Sequence, residues 1–132
     1  MTPKPLTPQA ERRFQLILWA AMLFSLGMYF VIIRVVHPGE PVDNPLLVRI
    51  LLVASAVFAL GSFGVRKAFE ARARSQKTPE LQRIGFMIGM VMSEAAALFG
   101  VVAWFVTATE LYFVFLIIGF VSMLFHYPAK PE

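Results

Sequence analysis

Glu94 is the residue with the most chemistry to offer. It stands alone in the apolar run 84–107, in the context Met92-Ser93-Glu94-Ala95-Ala96-Ala97. A run of about 20 apolar residues is long enough to cross the hydrocarbon of a bilayer. A carboxyl at that depth is costly, and such groups face a helix bundle, find a partner, or handle protons or ions. Glu94 follows Arg83 by roughly 16 Å of helix at 1.5 Å per residue, which puts it near the bilayer centre. An unpartnered carboxyl there favours its protonated form, because desolvation penalises the charge. It could then donate to Ser55, Ser25 or a free carbonyl. Ser25, Ser55 and Ser122 are central in their own apolar runs, and Ser93 is its immediate neighbour. These four serines are the candidate polar partners.

The elements that must position these groups are helices. Four apolar runs cover 14–36, 46–65, 84–107 and 111–127. Backbone in lipid must satisfy its own hydrogen bonds, and no alternating barrel pattern is present. The expected fold is therefore all-α: a polytopic, four-helix transmembrane bundle forming a single membrane domain over 1–132. In the third run Gly85, Gly89, Ser93 and Ala97 recur every four residues, a small-residue stripe that admits a neighbouring helix closely. Trp19, Trp104, Tyr112, His126 and Tyr127 near run ends read as interface anchors.

Composition agrees. Of 132 residues 58 % are hydrophobic and only 15 % charged, against roughly 25 % charged in soluble domains. The mean hydropathy is +0.71. The net charge of +4 lies beside the apolar runs, as topology signals do, and so points to an anionic leaflet and not to nucleic acid. Lys4, Arg12 and Arg13 precede the first run, the basic stretch 66–83 follows the second, and Lys130 follows the fourth. With four spans all three regions fall on one side, which predicts cytoplasmic N- and C-termini, a cytoplasmic loop at 66–83, and residence in the cell (inner or plasma) membrane. The proline-rich start has no A-x-A-type cleavage site, so the first run is expected to stay as a helix.

Enzymatic chemistry has little support. With no cysteine, disulfides, thiolate metal sites and cysteine nucleophiles are excluded. No Ser-His-Asp set, phosphate loop, haem motif or paired carboxylates occur, and His37, Glu40 and Asp43 read as a solvated turn and not as metal ligands. No cofactor is expected. The expected partners are the lipid bilayer and either further copies of the chain or other membrane subunits. One function class is proton or cation handling through Glu94. The other is a structural or accessory subunit in which Glu94 is interhelical polar glue.

Two segments carry a resemblance. The stretch Ala71-Arg72-Ala73-Arg74-Ser75-Gln76-Lys77-Thr78-Pro79-Glu80 is followed by Glu94-Ala95-Ala96-Ala97-Leu98-Phe99-Gly100. Over 61–107 the chain thus resembles the helical hairpin of the proteolipid (c) subunit of rotary ATP synthases. That family has a polar Arg-Gln-Pro-Glu loop and then a helix bearing one carboxylate, often as Glu-Ala-x-x-x-Tyr-Gly. The resemblance implies that Glu94 is a proton-carrying carboxylate and that Arg74, Gln76, Pro79 and Glu80 mark the polar loop. Here the loop residues are separated by insertions, and Phe99 replaces the tyrosine. Small multidrug-resistance transporters share only four short helices and one membrane carboxylate, carried in their first helix.

Overall fold

The computed structural model describes Lys4 and residues 6–128, and Lys130 lies outside the described residues. The described chain is all-helical, with four helices: α1 (Pro8–Val35), α2 (Pro45–Gln76), α3 (Pro79–Thr107) and α4 (Tyr112–Phe125). The first three start the same way, with proline just inside the helix. Its missing N–H is one of the donors a first turn leaves unused. Thr7 caps α1 by accepting from the Ala10 N–H, and Asn44 caps α2 by accepting from the Leu47 N–H. The α2–α3 and α3–α4 turns each place a non-glycine residue in the left-handed region, Lys77 at φ 53° and Ala108 at φ 52°.

α1, α2 and α3 are long and apolar enough to cross a membrane. The helix bounds depart from the expected ones at three places. The stretch 66–83, read as a loop, is helical through Gln76, and α3 resumes at Pro79. Hydropathy falls at Val65, but alanine, arginine, glutamate and lysine are good helix formers, so the helix continues into polar sequence. α1 begins at Pro8 and not near residue 14, for the same reason and with its Thr7-Pro8 start. α4 is shorter than the run 111–127, at 14 residues, roughly 21 Å of α-helix. Single-turn bonds extend it: Tyr112 N–H to Thr109 and Val114 N–H to Leu111 at its start, His126 N–H to Met123 and Tyr127 N–H to Leu124 at its end.

α3 is the centre of the bundle. It packs on all three other helices, whereas α1 packs on α3 and α4 and not on α2. Of the most apolar window of α3, 44 % is buried, against 11 % for α1. Small residues make this possible. A Cβ on Gly89 would lie 2.9 Å from His126 Cε1 and 3.3 Å from the Ser62 carbonyl oxygen; a Cβ on Gly119 would lie 2.7 Å from Ala97 Cβ and 3.0 Å from the Ser93 carbonyl oxygen. Beside this seam Leu26, Phe86, Met90, Ala97 and Met123 form the apolar core, which joins α1, α3 and α4.

Contacts fix the ends. Glu11 pairs with Arg83, Trp19 donates to the Met123 carbonyl at 2.8 Å, and Arg66 meets His126. The start of α1, the end of α2, the start of α3 and the end of α4 therefore share one end of the bundle. At the other end the Val42 N–H donates to the Val106 carbonyl at 2.9 Å, tying the α1–α2 link to α3.

If close approach at the α3–α4 seam holds the bundle, Gly119→Val should lower stability by about 1–3 kcal/mol through overpacking. Gly64→Val is the control, since a Cβ there meets nothing within 4 Å. Thermal unfolding in detergent should separate the two; equal losses would mean that α3 and α4 are not in close contact.

Candidate functional site

Glu94 projects from α3 toward α1. Ser25 Oγ donates to its Oε1 at 2.7 Å and Tyr29 Oη donates to the same oxygen at 2.5 Å. Ser25 and Tyr29 are one helical turn apart on α1, so their side chains share a face. All three residues are partly buried. The other carboxyl oxygen, Oε2, has no partner among the described residues. The site is thus a half-open carboxyl at the α1–α3 seam, held by two hydroxyls.

Of the four candidate serines, Ser25 alone reaches Glu94. Ser55 is buried, but its hydroxyl donates across to the Ala96 carbonyl at 2.8 Å and links α2 to α3. Ser93 and Ser122 belong to a second polar system on another side of α3. Successive helical residues turn by about 100°, so neighbours in sequence face different helices. Glu94 faces α1 while Ser93 faces α4.

That second system is fully accounted for in hydrogen bonds. Arg66 Nη1 meets His126 Nδ1 at 3.0 Å. A guanidinium can only donate, so Nδ1 accepts and the ring proton sits on Nε2. Nε2 then donates to Ser62 Oγ at 2.9 Å, and Ser62 donates to the Ala59 carbonyl at 2.6 Å. Ser93 donates to the Gly89 carbonyl at 3.0 Å, which leaves Ser122 to donate to Ser93 Oγ at 2.7 Å. Arg66 also pairs with Glu70 at 3.1 Å. His126 is fully buried and lies flat on Phe63, with ring centroids 4.7 Å apart. It is therefore not the interface anchor its place near a helix end implied. No hydrogen bond joins this network to Glu94.

Gly85, Gly89, Ser93 and Ala97 are all buried. Gly85 approaches Phe69 and Arg66 on α2, Gly89 approaches Ser62 and His126, and Ala97 approaches Gly119 on α4. Arg74 and Gln76 lie in the last turn of α2, and Pro79 and Glu80 in the first turn of α3. These four flank a two-residue turn and form no common site with Glu94. Tyr29, Ser62 and Arg66 are the participants that sequence reasoning missed. Tyr29 follows Ser25 by four residues and Ser62 follows Ser55 by seven, spacings that share a helix face and were readable. The Arg66–His126 pair spans 60 residues and had no local signal.

Comparison of the chain with protein-family models, with curated proteins and with solved structures finds no match.

The closed network gives a test by isosteric change. His126→Phe keeps an aromatic ring on Phe63 but removes both ring nitrogens. Arg66 and Ser62 then lose a buried partner, so stability should fall by about 1–3 kcal/mol. Equal unfolding temperatures for the variant and the parent would show that the ring acts by packing alone.

Proposed function

We propose that this chain is an integral protein of the cell (inner or plasma) membrane, and that Glu94 takes up and releases a proton or small cation at the α1–α3 seam. The membrane reading rests on three long apolar helices and on the large apolar side chains left on the outside, with Ile17, Phe24, Leu60 and Phe125 each more than 70 % exposed. Patches of this kind are rare on soluble monomers. Lys4, Arg12, Arg13, Lys67, Arg72, Arg74 and Lys77 gather at the end that holds the start of α1 and the end of α4; Glu40, Asp43 and Glu110 sit at the other, with Arg34 and Arg49 near its helix ends. By the positive-inside rule the basic end is cytoplasmic, and so are both termini.

The observation that carries the functional reading is the half-open carboxyl. Ser25 and Tyr29 both donate to Oε1, which fixes the group while Oε2 stays available for exchange. A carboxyl at mid-depth exchanges only through a water path or a moving partner. The partner here is α1, the least buried of the three long helices. A shift of α1 would withdraw both hydroxyls and open the carboxyl. The likeness to proteolipid subunits points the same way.

The same contacts favour a second reading. The other polar links of α1, Glu11 to Arg83 and Trp19 to Met123, lie toward one end. Glu94 is its polar link at mid-depth, as suits glue in a structural or accessory subunit of a larger membrane complex, or in a self-associating one.

Two substitutions separate these. Glu94→Gln keeps an acceptor for Ser25 and Tyr29 but cannot exchange a proton; Glu94→Leu removes the acceptor too. If Glu94 exchanges, both variants should lose proton or cation flux in reconstituted vesicles while the Gln protein stays folded. If Glu94 is glue, the Gln variant should keep full activity and assembly, and Leu should cost about 1 kcal/mol, the scale of a membrane hydrogen bond. Topology has its own test, because the chain is free of cysteine. A single cysteine at position 74 should react with an impermeant maleimide from the cytoplasm and one at position 40 from outside. The opposite pattern would invert the arrangement.

A further inference from the structure

We infer that the tip of the α2–α3 hairpin is a docking point for an acidic segment of a water-soluble protein on the cytoplasmic side. The inference rests on the membrane reading above. α2 has 32 residues, roughly 48 Å at 1.5 Å per residue, against a hydrocarbon core of about 30 Å. Its apolar run starts at Leu46, one residue into the helix, so the excess lies at the basic end. Roughly 16 Å of helix continues past Val65. The headgroup layer is only about 5–7 Å deep on each side. Arg72, Arg74 and Lys77 therefore stand in water beyond the headgroups.

Charge pairing differs along this projection. Arg66 and Arg83, nearest the apolar part, are the cations in ion pairs among the described residues, with Glu70 and Glu11. Arg72, Arg74 and Lys77 are exposed and have no ion pair. Glu80 is the acid beside them, at the start of α3. Arg12, Arg13 and Lys67 lie closer to the apolar part than the tip does, so they are the cations better placed to meet the leaflet.

The projection is also stiff. The N–H groups of Lys77 and Thr78 both donate to the Ala73 carbonyl. Pro79 starts α3 at once. Ala73 is buried, and Phe69 packs where Gly85 lets α3 approach. The backbone that carries these cations is already ordered and spends little further freedom on binding. The complement of the cluster is a run of carboxylates, because charge complementarity sets specificity and association rate.

The test uses the full chain in phosphatidylcholine nanodiscs, with fluorescent poly-L-glutamate as the probe and anisotropy as the readout. The parent should bind saturably and weaken as salt is raised. The combined variant Arg72→Glu, Arg74→Glu, Lys77→Glu should bind about tenfold more weakly or worse. Reversing Arg12 and Arg13 should change binding little. Equal binding by the parent and the tip variant, or a loss that follows Arg12 and Arg13, overturns the proposal. A second arm uses nanodiscs containing phosphatidylglycerol. If the tip variant retains less of that lipid than the parent, headgroups are the occupant and the proposal again fails. A chain that stays out of the nanodisc fraction overturns the membrane reading as well; an inserted chain that ignores polyglutamate overturns the docking alone.

Discussion

Everything in this bundle depends on how closely α3 can be approached. Its small residues remove the side chains that would hold neighbouring backbones apart: Gly85 and Gly89 admit α2, and Ala97 meets Gly119 of α4. With lipid around the bundle, as proposed, packing and hydrogen bonding are what remain to drive association. The short separation supplies the first and permits the second. Serine side chains are short, so Ser55 reaches the Ala96 carbonyl and Ser93 reaches Ser122 only because the backbones are this near.

The same constraint fixes where Glu94 points. α2 and α4 occupy the small-residue sides of α3, and the helical step of about 100° turns residue 94 away from residue 93. Glu94 is left facing α1, the helix with the looser hold on the bundle. The two polar systems then differ in kind. From Arg66 to Ser93 every ring nitrogen and hydroxyl has a partner of the right sense, and the network closes on the backbone carbonyls of Ala59 and Gly89. A closed network of that sort stiffens a core. The Glu94 site is open: two donors converge on one oxygen and the other has none.

The parts of this that could be read in the sequence are those written at short range. Apolar runs locate four helices, because they are too long for strands and carry no alternating pattern. The four-residue repeat from Gly85 to Ala97 locates the side that packs. Helix ends were less legible. Hydropathy stops at Val65, yet Arg66 to Gln76 continues the helix, since propensity, the Arg66–Glu70 pair, the contact of Phe69 with Gly85 and the burial of Ala73 outweigh polarity. Depth counting brought Ser25 to the level of Glu94 but also Ser55 and Ser122, because depth says nothing about the direction a side chain faces. His126 was beyond reach: its partners Ser62 and Arg66 lie 64 and 60 residues away in the chain.

The polar anchors of α1 are unevenly spread, and this couples its position to the carboxyl. Glu11 and Trp19 hold its first turns to α3 and α4, and Ser25 and Tyr29 hold its middle to Glu94. Beyond Tyr29 it keeps apolar contact, with Ile33 buried, but no further side-chain hydrogen bond among the described residues. Its far half cannot swing out until Ser25 and Tyr29 let go of Oε1, and Oε1 cannot change partners while they hold it. If both events occur, they are linked in both directions, as any coupled equilibrium requires. An exchanging carboxyl would thereby move α1, and a partner that moved α1 would thereby open the carboxyl.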